Sequence, residues 1–146
     1  MTFSSKDFGK TKPQFEVQIP EKLIHKNVIN KDSKDNRFSE ERKHPVFVVD
    51  LPTKNLSMTV GGLDPSQTTN RHRHTYETVI YIIKGEGVTT VEGREVHWSA
   101  GDALYIPQWA WHHHRNKNSD SECVYLACEN APQMQNLGVA IREEAA

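Results

Sequence analysis

The sequence contains little cysteine: Cys123 and Cys128 are the only two among 146 residues. That excludes the disulfide-dense scaffolds of small secreted domains. The pair sits in the apolar run "ECVYLACE", where strand alternation turns them to opposite faces, so they are expected as small core residues rather than a bond. No apolar run approaches the ~20 residues of a membrane-spanning helix, and the opening "MTFSSKDFGK" has no apolar signal core. A reducing, cytoplasmic setting and no membrane partner are expected. Charge of one sign is also lacking: 18 basic and 19 acidic residues leave a net charge of −1. Without a basic face or run, no nucleic-acid partner is expected. Long amphipathic helical patterns are missing as well. The length suits one compact domain, burying roughly 70% of the surface its unfolded chain exposes.

Residues 1–45 are polar and mixed in charge, an N-terminal arm. Its stretch "NKDSKDNRFSEERKH" reads as partly disordered, as carrying a short helix at "SEERKH", or as a segment packed on a second subunit. From Pro45 the pattern changes to short strands punctuated by turns: 46–51, 56–62, 68–74 and 78–83. A hairpin follows at Glu92-Gly93, then strands at "ALYIP", "WHHHRN" and "ECVYLACE". This spacing predicts an all-β sandwich or barrel over residues 46–130. The tail, 131–146, is apolar up to Ile141 and is expected to fold back over the barrel mouth.

What the chain does have is clustered histidine. Five of its eight histidines fall in "RHRHTYE" and "WHHHRN". His72 and His74 stand at i and i+2, which on a strand puts both on one face with Cα atoms ~6.7 Å apart. Two such imidazoles can converge on one ion at ~2.1 Å per bond, and a third ligand is wanted for useful affinity. His112 begins a strand that carries His114 on the same face and turns His113 to the other. Taken alone, an HxH pair reads more readily as surface or satisfied histidines than as ligands; the surrounding pattern reverses that.

In combination these residues resemble the cupins. "HRHTYETVIYIIKG", His72 to Gly85, is similar to the first cupin motif. "GDALYIPQWAWHHHRN" is similar to the second, with Gly101, Pro107, His112 and Asn116 in register. The resemblance covers about residues 60–130. It implies a double-stranded β-helix (jelly-roll) barrel holding a divalent metal through His72, His74 and His112. Two positions depart from the pattern. Trp109 stands where the motif has glycine, and Thr78 stands where many cupins have a glutamate ligand. Glu77 is one residue short of that position, and alternation turns it outward, so a three-histidine site is expected.

Within the cupins the motifs look most like ring-cleaving dioxygenases of the gentisate and salicylate type, which usually carry two cupin domains in a longer chain. That likeness implies Fe(II), with Zn, Mn or Ni as alternatives, a small anionic aromatic substrate, and O₂. A neutral three-nitrogen face leaves room for a chelating anion beside O₂. His114 is expected as a base or hydrogen-bond donor poised near neutral pH, Trp109 and Trp111 as an aromatic wall, and Arg71 as a partner for a substrate carboxylate. Arg73 is expected to point outward, and His97 and His113 to be structural. A non-redox lyase or isomerase and a small-molecule-binding module without turnover are the competing classes. Single cupin barrels resemble one another in pairing, and open sheet edges beside a long arm need covering, so a homodimer is expected.

Overall fold

The run "TVIYIIK" alternates strictly. Thr78, Ile80 and Ile82 are buried while Val79, Tyr81 and Ile83 face outward, as a strand with one face on a core requires. In the computed structural model, which describes Val17 and residues 19–146, this is β4 (Thr78–Lys84). The other strands are β1 (Phe47–Val48), β2 (Ser57–Leu63), β3 (His72–His74), β5 (Glu86–Val91), β6 (Arg94–Ser99), β7 (Ala103–Ile106), β8 (His112–Asn116), β9 (Cys123–Glu129) and β10 (Arg142–Glu144). Two short helices, α1 (Asn36–Arg42) and α2 (Ala131–Asn136), complete the described residues. The opening of the polar arm, including "MTFSSKDFGK", lies outside them.

The strands form two antiparallel five-stranded sheets, ordered β1-β2-β9-β4-β7 and β10-β3-β8-β5-β6. This is the all-β architecture expected from the strand spacing, in the jelly-roll form that the cupin resemblance implies. Leu63, Ile80, Ile82, Trp98, Leu104, Ile106, Cys123 and Ala127 make one core between the sheets. The hairpin turn falls at Glu92-Gly93, where both residues take positive φ (47° and 79°). That is the primed turn whose twist matches the strands it joins.

Three local expectations need adjustment. The arm's helix starts at Asn36 rather than Ser39, because the Asp35 carboxylate accepts a hydrogen bond from the Phe38 N–H (2.8 Å) and caps it there. The strand preceding His74 is three residues long, not seven, and Thr68 makes an isolated bridge to Arg115 instead. The tail does not cover the barrel mouth with apolar side chains. Leu137, Val139 and Ile141 remain 47–66% exposed. What holds the tail is backbone pairing, with Arg142, Glu143 and Glu144 opposite His74, Arg73 and His72. The tail thus covers the free edge of the strand that carries the histidine pair.

Asn116, 2% exposed, ties the rim of the barrel. Its amide donates to the carbonyls of Leu63 (3.3 Å), Asp64 (3.1 Å) and Ser121 (2.9 Å), while its oxygen accepts from the Asn118 N–H (2.9 Å). Asn116→Ala should therefore take the side-chain donor from the Ser121 carbonyl, while the Asp64 carbonyl keeps the Gln67 N–H, and cost about 2 kcal/mol, read as a lower urea midpoint with an unchanged slope. A change within a few tenths of a kcal/mol would mean water replaces the amide.

Candidate functional site

Pairing between β3 and β8 sets His72 directly opposite His112. His74 lies two residues along on the same face, and the ligand atoms of these three side chains all lie within 4.8 Å of one another. The rings are 2–4% exposed, with centroids 4.3 Å (His72–His112) and 4.9 Å (His74–His112) apart. Each ring is oriented by its own backbone. The Nδ1–H groups of His72, His74 and His112 donate to the carbonyls of Asn70 (2.9 Å), Tyr76 (2.8 Å) and Ala110 (2.8 Å). A neutral imidazole whose Nδ1 donates keeps a lone pair on Nε2. Burial first, then the neighbouring charges, holds all three neutral: the pKa falls to about 3 for His72 and about 4 for His112, and His74 is also lowered. Three neutral nitrogen donors fixed by carbonyls are a donor set that fits a divalent transition ion.

His114 carries the opposite tautomer. Trp98 Nε1 can only donate, and it donates to Thr89 Oγ1 (2.9 Å). His114 Nδ1 (2.7 Å) is the one acceptor within reach of the Thr89 hydroxyl proton, so His114 bears its hydrogen on Nε2. It lines the same cavity as the three other histidines and presents a donor rather than a lone pair. One expectation is corrected here. His114 is not poised near neutral pH, because complete burial pushes its pKa well below 6.5. It is a neutral hydrogen-bond donor.

The cavity, about 70 Å³, is lined by Phe38, Arg42, Thr78, Tyr125 and Glu129 besides the histidines and apolar core residues. Trp109, Trp111 and Arg71 do not reach it. They sit on the outer face of the barrel with Arg73. The Arg71 guanidinium lies 4.6 Å from the Trp111 ring, and that of Arg73 lies 4.1 and 4.4 Å from Trp109 and Trp111. Arg71, Arg73 and Trp111 flank inward histidines, and parity points them out; Trp109 lies in the turn before β8. Trp109, at the motif's glycine position, has φ of 61°, a left-handed conformation that costs a non-glycine residue roughly 1–2 kcal/mol. Its contact with the Arg73 guanidinium and an N–H bond to the His74 carbonyl (2.7 Å) hold it there.

Glu77 is exposed and faces away, accepting a hydrogen bond from Tyr105. The cavity nevertheless holds a carboxylate. Thr78 pairs with Glu129 across β4 and β9, and its hydroxyl donates to the Glu129 carboxylate (2.6 Å). Burial raises the Glu129 pKa against that hydrogen bond. Glu129 lies outside the group of mutually close ligand atoms. It was legible in principle, since Cys123, Tyr125, Ala127 and Glu129 share parity along β9. Arg42 was not, because nothing in the arm's sequence shows where α1 docks.

Residues 60–128 match the family model "Cupin domain". The chain is 40% identical over 95 residues to a 5-aminosalicylate 1,2-dioxygenase from Comamonas sp, an alignment covering 65% of this chain and 24% of that protein. It is 37% identical over 92 residues to a gentisate 1,2-dioxygenase from Streptomyces sp, covering 62% and 25%. The structure resembles a salicylate 1,2-dioxygenase from Pseudaminobacter salicylatoxidans with a TM-score of 0.67 and 25% identity, over 75% of this chain and 35% of that one. The chain therefore spans about a quarter of the length of these curated relatives. Among the described residues no helix is long and apolar enough to cross a membrane.

Proposed function

Since residues 60–128 of this chain are a cupin domain related to ring-cleaving 1,2-dioxygenases, we propose that it binds one Fe(II) through His72, His74 and His112 and opens the ring of a small anionic aromatic acid with O₂. The observation that carries this is the convergence of three neutral, lone-pair-bearing Nε2 atoms in a cavity that also contains an arginine. Bound there, Fe(II) supplies a redox-active centre with positions left for a chelating acid and O₂. The chain's own residues bind and orient. Arg42 pairs with the substrate carboxylate, in place of Arg71. His114 donates its Nε2–H to a substrate oxygen, and Phe38 rather than Trp109 or Trp111 supplies the aromatic contact. Glu129, kept basic enough by burial to accept a proton, takes it from a substrate hydroxyl.

Oxygen uptake by protein loaded anaerobically with Fe(II), against salicylate, gentisate and 5-aminosalicylate, tests the proposal. The expected result is stoichiometric O₂ consumption with at least one of them. Arg42→Ala should raise KM roughly 10- to 100-fold, the worth of a charged hydrogen bond, without changing metal content. The buried Glu129 carboxylate favours one second reading, a lyase or isomerase that moves a proton with Zn, Mn or Ni. Product formed without O₂ selects it, and binding without any product leaves a sensing module.

The working unit is a homodimer formed through the outer face of the β4-β7 sheet. There Val79, Tyr81, Ile83 and Tyr105 remain 47–51% exposed, side by side on paired strands, an apolar patch of the kind that marks association. Light scattering should give twice the chain mass for the parent and a monomer for Tyr81→Glu/Ile83→Lys. A monomeric parent at micromolar concentration would refute the dimer.

A further inference from the structure

Outside the cavity, one other histidine has the posture of a ligand. His44 follows α1 and is 7% exposed. Its Nδ1 faces the Pro45 carbonyl at 2.9 Å, the same carbonyl-fixed arrangement that His72, His74 and His112 show. Its Nε2 faces the Glu122 carboxylate at 2.9 Å, and Asp64 brings a second carboxylate oxygen into a group whose ligand atoms all lie within 4.8 Å. With Nδ1 donating, Nε2 carries a lone pair aimed at anionic oxygen, and that requires a positive charge between them. His25 shows the contrast. Its Nδ1 accepts from the Asp50 N–H (2.9 Å) and its Nε2 donates to Ser33 Oγ (3.0 Å), so a neutral ring is satisfied by protein alone.

We propose that His44, Asp64 and Glu122 form a second divalent-cation site, for a first-row transition ion, separate from the three-histidine cavity. Charge favours a divalent ion over a proton. A neutral imidazole and two carboxylates carry −2, which one divalent ion balances and one proton does not. Among the described residues no lysine or arginine nitrogen lies within 4.0 Å of either carboxylate. Distance agrees as well: two donors ~2.1 Å from one ion at a right angle stand ~3.0 Å apart.

The site is built by the fold. Leu63 and Cys123 are the last pair of the β2-β9 ladder, so Asp64 and Glu122 flank it at the ends of neighbouring strands. Asn116 holds the carbonyls of Asp64 and Ser121 from behind. The imidazole packs against Gly62, where an added Cβ would come within 2.7 Å of His44 Cε1 and 2.1 Å of the Cys123 carbonyl. His44 is two residues past Arg42. A cation there ties the end of α1 to the barrel rim and fixes Arg42 and Phe38 at the cavity. It is a positioning site, and it stands whether or not the proposed ring cleavage does.

Zn²⁺ alone is the probe. Stripped protein dialysed against Zn²⁺ should take up two equivalents, His72→Ala/His74→Ala one, and Asp64→Asn/Glu122→Gln one. In the His72→Ala/His74→Ala background, Zn²⁺ should still raise the Tm, and adding Glu122→Gln should remove that rise with at least a tenfold loss of affinity. If the histidine double variant does not fold, Asp64→Asn/Glu122→Gln, altered only at the rim, still reads the site against the parent. An equivalent that survives Asp64→Asn/Glu122→Gln at unchanged affinity, or a parent that binds a single equivalent abolished by His112→Ala, would overturn the proposal and leave His44–Glu122 a protonated ion pair.

Discussion

His112→Ala should remove the ion from the three-histidine cavity, lowering bound Fe(II) by one equivalent and affinity by on the order of 10²-fold or more. Losing even an outer partner of a metal ligand typically costs 10- to 100-fold, and here a third of the donor set disappears. His112 is the geometric centre of the cluster, opposite His72 in register and 4.9 Å from the His74 ring. Two imidazoles on one short strand cannot close the site without it. His113→Ala is the matched control, since the neighbouring side chain points to the other face and should keep full metal content. Retention of the ion at unchanged affinity in His112→Ala would dismiss the cavity as a metal site.

The second large effect concerns the protein without metal. His72 and His112 titrate near 6.5 in the unfolded chain and at about 3 and about 4 when folded, and His74 and His114 are lowered too. Between those limits the unfolded state binds more protons than the native state, so stability must fall as pH falls. The loss begins near pH 6.5 and levels off once pH passes the folded values. A shift from 6.5 to about 4 is worth roughly 3 kcal/mol for one group. The four rings are coupled, so the total is smaller than the sum of separate shifts. Glu129, raised by burial, works the opposite way as one group against four. The urea midpoint of stripped protein should therefore drop steeply from pH 6.5 to pH 4, while loaded protein, whose ion competes with protons for Nε2, should hold to lower pH. Equal midpoints at pH 7 and pH 4.5 in the stripped protein would contradict the neutral, buried state of these rings.

Arg42 and Glu129 show where reading along the chain stops. Both line the cavity, yet Glu129 is reached only through β9 parity and Arg42 only through the docking of α1. Trp109 and Trp111 show the reverse case. Aromatic residues next to a metal-ligand motif suggest a substrate wall, but parity beside His112 sends Trp111, and the turn before β8 sends Trp109, outward to Arg73. The tautomers lay beyond sequence altogether, since they depend on which carbonyl or hydroxyl each ring meets.

The sequence by itself determined the parity of the site. Period-two alternation along "HRHTYETVIYIIK" puts His72, His74 and Thr78 inward and Glu77 outward, and the hairpin at Glu92-Gly93 follows from a glycine, which takes positive φ freely. These are local properties of an extended chain and need no partner. Tertiary structure alone decided what shares the cavity with the histidines. The β4-β9 pairing brings Glu129 to Thr78, the α1 docking brings Arg42 and Phe38, and the closing of the β2-β9 rim sets Asp64 and Glu122 around His44. Each joins residues roughly 20 to 80 positions apart in the chain. Contacts at that separation arise from sheet pairing and core burial, which no local pattern encodes.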